Sequence, residues 1–250
     1  MDITNYVQSC VDDFQSFVGI DSFPDFKIIT KEMSLEKATQ QGFGAPAAAL
    51  YDSSKGLHSL EIWSKLYLPQ MNAKYLVFHE LTHIWDAEVY SQKDKTKHIS
   101  NKGYTEFHAA QIDFMQVLGA KNILTPFSFD MNQKVETFSG TKTAREYLDE
   151  ARLLATSLIQ RTDFPANIET LSVTLGVIFN YYGRRSICKM YANDYNDDAD
   201  MSVISSLIME QTVSALNNFM LGWMEPERIA LVDQLYYRMA ISIAQQYHLA

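Results

Sequence analysis

The chain has 250 residues, of which 47% are apolar and 20% charged, enough to bury a sizeable core in one large domain or two lobes. A formal charge of −9 excludes an extended nucleic-acid-binding surface, which needs clustered Lys and Arg, although a local basic patch remains compatible with it. The first residues show no positive region followed by an apolar run, the longest apolar stretches (such as residues 171–179) are too short to span a bilayer, and Cys10 and Cys188 read as reduced, buried thiols of a cytoplasmic protein.

Tyr6, Val7, Cys10, Val11, Phe14, Phe17 and Val18 recur at helical spacing, which predicts an amphipathic helix over 5–18 ended by Gly19. Phe26-Lys27-Ile28-Ile29 reads as a short strand. Ser34 is placed to cap a short helix running to about Gln41, after which Gly42, Gly44 and Pro46 break the chain. Residues 47–51 and 57–63 flank Asp52-Ser53-Ser54-Lys55-Gly56, a hairpin pattern with Leu60 and Ile62 on its buried face. Residues 71–90 read as one helix that follows Pro69 and takes Asn72 as its cap. Residues 91–102 are polar and lysine-rich and read as a solvated surface loop. Thr105 is expected to cap a helix over 106–118, ended by Gly119.

Thr125-Pro126 and the polar run 130–140 mark a boundary between a first lobe, residues 1–125, and a second, residues 126–250. The second lobe is expected to be helical throughout. One helix covers Ala144 to Leu158. Another is opened by Pro165 and runs toward Tyr191 with a kink expected at Gly183. A third is capped by Asp200 and reaches about Leu221, and a fourth runs from Pro226 to near His248. Asp194, Asn196, Asp197, Asp198 and Asp200 do not make a calcium loop, because its sixth and twelfth positions are Ala199 and Ser205 rather than Gly and Glu. The expected fold class is α+β, predominantly helical: a small N-terminal antiparallel sheet and a motif-bearing helix, followed by a helical lobe.

The chemistry concentrates in His79-Glu80-Leu81-Thr82-His83. Residues four apart on a helix sit one above the other, so His79 and His83 present their imidazoles on one face, a separation suited to two ligands of one metal ion. Glu80 lies beside them, close enough to take a proton from water without binding the metal. This is the H-E-x-x-H arrangement of two zinc ligands and a general base. A catalytic zinc needs a third protein ligand. Of the six histidines, His108 lies at the start of the next helix, beside Glu106, and the two are the candidates.

With these residues the chain resembles the zincin metallopeptidases, and within them the gluzincin branch, in which a Glu on the following helix completes the ligand set. The order of elements is similar to the compact peptidases of the ImmA/IrrE type. The resemblance covers about residues 25–120 and rests on His79-Glu80-x-x-His83 plus Glu106. It implies that His79, His83 and Glu106 hold Zn²⁺ and that Glu80 is the catalytic base. Many gluzincins carry an Asp four residues after the ligand Glu to orient a zinc-bound His. Here that position is Ala110, and Asp113, three residues further on the same helical face, is the substitute on offer. Glu106 shares its face with Asp113, Ala109 and Ala110, which favours it over His108.

The function this implies is a zinc-dependent peptidase acting on a protein or peptide substrate, with neither nucleic acid nor membrane as partner. Tyr104, His108, Tyr181, Tyr182 and Arg184 are candidate donors to the oxyanion. The strand over 57–63 is the expected edge for an extended peptide. The alternative is a non-catalytic regulatory or scaffold protein with a structural or vestigial metal, suggested by Ala110 and by the helical half. A third possibility is an all-helical interaction module in which the histidine pair is accidental.

Overall fold

The structure is a computed structural model that describes residues 2–32, 46–52, 54–92, 94–218 and 226–249. The helix expected from Ser34 to Gln41, and the end of the one expected to reach Leu221, lie outside the described residues. Asp2 caps α1 (Ile3–Val18) by accepting the Asn5 N–H at 2.8 Å, and Gly19 ends it at φ 77° with its N–H on the Gln15 carbonyl. Its buried stripe is Ile3, Val7, Cys10, Val11, Phe14, Phe17 and Val18.

Three strands, β1 (Phe26–Lys31), β2 (Ala47–Asp52) and β3 (Leu57–Trp63), form a sheet in the order β1-β3-β2. β2 and β3 are the expected antiparallel hairpin, with Ala49 opposite Leu60 and the Asp52 carbonyl accepting the Gly56 N–H at 2.8 Å. Leu60 and Ile62 are fully buried. β1 runs parallel to β3, so the sheet is mixed rather than antiparallel. A parallel neighbour needs a long crossover, and no local turn signal announces one. β3 is therefore the central strand, with both edges paired. The strand over 57–63 is not the free edge expected from the sequence; among the described residues β2 is an outer strand instead.

The motif helix is α2 (Lys74–Asp86), preceded by a 3₁₀ turn, Pro69–Met71. Asn72 does not cap it: at φ 44° it ends the 3₁₀ turn, and Ala73 stands at the N-cap without a side-chain bond. The helix passes directly into a π-helical turn, Ala87–Ser91, and stops at Gln92, φ 48°. Tyr75, Val77, Phe78, Leu81, Ile84 and Trp85 are all buried, the mark of a helix enclosed on most sides. α1 covers it through edge-to-face contacts of Phe14 with Phe78 and Trp85 (centroids 5.4 and 6.1 Å) and through Lys74 paired with Asp13 at 2.7 Å.

The polar stretch after α2 is not all loop. Asp94 caps a short helix, α3 (Lys95–Ser100), whose described side chains are largely exposed. α4 (Lys102–Val117) starts four residues before the expected position, so Thr105 lies inside its first turn and is free for another role. The run 130–140 holds part of an unexpected hairpin, β4 (Lys134–Thr137) and β5 (Gly140–Thr143). Thr143 then opens α5 (Ala144–Ile159) in a reciprocal capping box with Glu146. α6 (Ile168–Tyr191) is capped by Asn167, three residues later than Pro165 suggested. α7 (Ser202–Leu207) and α8 (Glu210–Asn218) replace the single helix expected after Asp200, and α9 (Pro226–Gln246) follows.

Asp200 accepts the Ser202 N–H, Asp194 accepts the Met131 N–H, and Asp197 pairs with Arg185 and Lys189, so the acidic run is used for backbone contacts and ion pairs, while Met201 rather than Asp200 stands at the N-cap of α7. Cys10 and Cys188 are buried free thiols. Among the described residues no helix is long and apolar enough to cross a membrane. The fold is α+β and predominantly helical. α4 packs against both α2 and α6, and one apolar cluster runs from Ile3 to Ala244. The helix carrying Glu106 is thus held between the motif helix and the longest C-terminal helix.

Candidate metal centre

α2 and α4 bring His79, His83 and Glu106 together. Ligand atoms of the three lie within 4.8 Å of one another, the only such group of three or more His, Cys, Asp or Glu among the described residues. Glu106 Oε2 is 3.8 Å from Nε2 of both histidines. Ligands at about 2.0–2.1 Å from a tetrahedral zinc stand roughly 3.3–3.4 Å apart, so the set accepts such an ion with a small inward movement. The side chains are 14–18% exposed, which leaves an approach from solvent.

The other ring nitrogens are engaged. His79 Nδ1 is 2.9 Å from Asp113 Oδ2, and His83 Nδ1 is 2.9 Å from Thr105 Oγ1. With Nδ1–H donating in both, each Nε2 lone pair faces Glu106, the tautomer a metal-binding imidazole requires. The carboxylate that faces His79 is Asp113, as the spacing on α4 suggested, and not position 110. Ala110 instead faces α6, where it meets Gly183. Thr105 corrects the expectation of a cap: its hydroxyl serves His83.

Electrostatics bind the group into a unit. Burial alone would lower the His79 pKa, but hydrogen bonds to Asp113 and Glu106 and the charges of Asp113 and Glu80 outweigh it and raise the pKa. His83 is lowered, first by burial. Glu106 is held below the usual carboxylate range because the two histidines and Lys102 overcome the opposing effect of burial. Glu80, next to His79, is pushed up to about 7, chiefly by burial and further by Glu106 and Asp113, against the charge of His79 and the Ala49 N–H. That N–H donates to Glu80 Oε2 at 2.7 Å.

The remaining sequence candidates lie elsewhere. His108 Nδ1 is 3.0 Å from Asp86 Oδ1, and its ring stacks on Tyr104, whose hydroxyl meets Tyr90. Tyr181 is fully buried, Tyr182 lies under Arg185, and Arg184 binds Tyr147 and Asp113. None of the five is seen donating toward the space between the three candidate ligands. The sequence reading missed Tyr236 of α9, whose ring packs where a Cβ at Gly103 would sit and whose pKa is raised by burial and by the Glu106 charge. Lys102, beside it in the chain of contacts, reaches Ser172 at 2.7 Å.

Asp233 of α9 faces the charge of Asp86. Burial, then that charge, lifts its pKa to about 7, and its Oδ1 is buried with no hydrogen-bond partner among the described residues. An unfolded Asp titrates near 3.9, so this carboxyl binds its proton more tightly in the folded state. Its contribution is therefore most favourable below about pH 4 and is lost as pH rises to about 7. Asp233→Asn should stabilise the protein by about 1–2 kcal/mol at about pH 8 and by little near pH 4, read as the difference in urea midpoints. An equal gain at both pH values would contradict this.

In comparisons with protein-family models, curated proteins and solved structures, nothing matches this chain.

Proposed function

We propose that the protein is a zinc-dependent peptidase of the zincin type, with His79, His83 and Glu106 as ligands and Glu80 as general base. The observation that supports this best is the position of Glu80. Its carboxylate sits beside the three-ligand set yet outside it, hydrogen-bonded to the backbone of the outer strand β2. A structural zinc takes four protein ligands and has no need of such a group, whereas a catalytic one takes three and leaves a position open. Zinc held there would supply Lewis acidity toward a water molecule and a substrate carbonyl.

The chain's own groups account for the rest. The Ala49 N–H fixes Glu80 Oε2, leaving Oε1 to accept a proton from the attacking water and pass it to the departing amine. Asp113 and Thr105 keep the imidazoles aimed. Backbone groups alternate along a strand, so the N–H groups of Ala47 and Tyr51 share the outer edge of β2 with that of Ala49. An extended peptide adding to that edge is brought to Glu80.

Metal analysis of the purified protein tests the reading. About one zinc per chain is expected, removable by chelation and regained on titration, with cleavage in a peptide mixture following the metal. Folded protein that takes up no zinc would refute the proposal. Zinc binding without cleavage of any peptide would favour the non-catalytic alternative.

A further inference from the structure

We propose that Arg184, from the C-terminal helices, is the positioning residue that holds Asp113 as the acceptor for His79 Nδ1–H. The inference builds on the reading of His79 as a metal ligand and gives the helical half a role at that site. Asp113 is 2% exposed and lies on α4; Arg184 is 14% exposed and lies on α6. Arg184 Nη2–H reaches Asp113 Oδ2 at 3.4 Å, the same oxygen that faces His79 Nδ1 at 2.9 Å. Nη2 also donates to Tyr147 Oη at 3.0 Å, and that hydroxyl donates to Asp113 Oδ1 at 3.4 Å. Both carboxylate oxygens are therefore fixed, one by the guanidinium and the other by the phenol.

Arg184 is itself locked. Nη1 donates to the Tyr147 carbonyl at 3.1 Å, and the guanidinium lies 3.9 Å from the centre of the Tyr147 ring. Tyr147 is held in turn by an edge-to-face contact with Tyr75, whose hydroxyl accepts the Phe138 N–H at 3.1 Å. A planar fork that uses two nitrogens and stacks on a ring cannot be reproduced by a lysine ammonium. A buried carboxylate left without this support would be free to rotate away from His79, loosening the imidazole. Because Arg184 acts through Asp113, its loss and the loss of the Asp113 charge should not add.

The test uses the full chain and zinc affinity measured by competition with a chelator. Arg184→Met should weaken zinc binding about 10- to 100-fold and change the absorption spectrum of the cobalt-substituted protein, with a cooperative melt retained. Arg184→Lys should recover only part of the loss. Combined with Asp113→Asn, Arg184→Met should cost no more than Asp113→Asn alone. Should Arg184→Met fail to fold, Tyr147→Phe keeps every charge and should still weaken zinc several-fold. In metal-free protein, the hydrogen-bonded Nδ1–H proton of His79, seen by NMR, should be sharp in the wild type and lost to exchange in Arg184→Met. Unchanged zinc affinity and an unchanged His79 proton in the Arg184 and Tyr147 variants would overturn the proposal, as would additive losses in the double variant. Wild type that binds no zinc, but whose His79 proton still depends on Arg184, would remove the peptidase reading and leave the Arg184–Asp113–His79 arrangement standing.

Discussion

Glu80→Gln should leave the protein folded and able to take up zinc while peptide cleavage falls about 100- to 10,000-fold. The amide keeps the size of the side chain, and its carbonyl oxygen still accepts the Ala49 N–H that now meets Oε2 at 2.7 Å. What it lacks is a basic oxygen to take the proton from water. Metal uptake is spared because Glu80 stands outside the three-residue ligand set. In the metal-free protein the substitution should also raise stability above about pH 7. The Glu80 pKa is lifted to about 7 by burial, so its favourable contribution is lost as pH climbs from about 4 to about 7, and a neutral amide is exempt from that loss. The measurement is kcat/KM on a peptide the wild type cleaves, beside zinc content and urea midpoint. His79→Ala and Glu106→Ala should lose metal and activity together, so the pattern separates base from ligand. A Glu80→Gln enzyme with wild-type turnover would refute the assignment of the base.

The parts of this site that follow helical periodicity were legible in the sequence. His79 and His83 are four apart on α2, and Glu106 and Asp113 are seven apart on α4; spacing alone places each pair on one face. Features that depend on contacts distant in the chain were not. That β3 is the central strand of the described sheet follows from its parallel pairing with β1, and no residue between 57 and 63 announces that partner on the far side. The Thr105 hydroxyl suits a cap by sequence; the helix begins earlier, and the same hydroxyl meets His83. Arg184 has the chemistry of an oxyanion donor, yet α6 places it behind Asp113, the partner of His79. The Thr143-x-x-Glu146 box was readable and marks the start of α5 more firmly than the polar run before it. α4 and α6 pack against each other, and two glycines seven residues apart on α6, Gly176 and Gly183, face α4 there.

Gly183→Ala and Gly176→Ala should separate the fold from the site. A Cβ at 183 would stand 2.2 Å from the Phe107 carbonyl oxygen and 3.0 Å from the Ala110 Cβ. The obstacle is backbone, so relief requires α4 and α6 to move apart at the point where one carries Glu106 and Asp113 and the other Arg184. Overpacking of this kind costs about 1–3 kcal/mol, and more where neither helix can yield; alanine's better helix propensity returns only about 1 kcal/mol. Gly183→Ala should therefore lower the urea midpoint and weaken zinc binding together. The atoms nearest a Cβ at 176 all belong to the Glu106 side chain, with Oε1 at 3.1 Å and Cδ at 3.3 Å. A carboxylate shift of a few tenths of an ångström relieves that contact, and the helix gains the propensity term. Gly176→Ala should hold or slightly raise the midpoint while zinc affinity falls, because the group nearest the new Cβ is the proposed ligand Glu106, already 3.8 Å from both imidazoles. Equal losses of stability in the two variants, or full zinc affinity in Gly176→Ala, would show that Glu106 is not held against α6 in the way its contacts indicate.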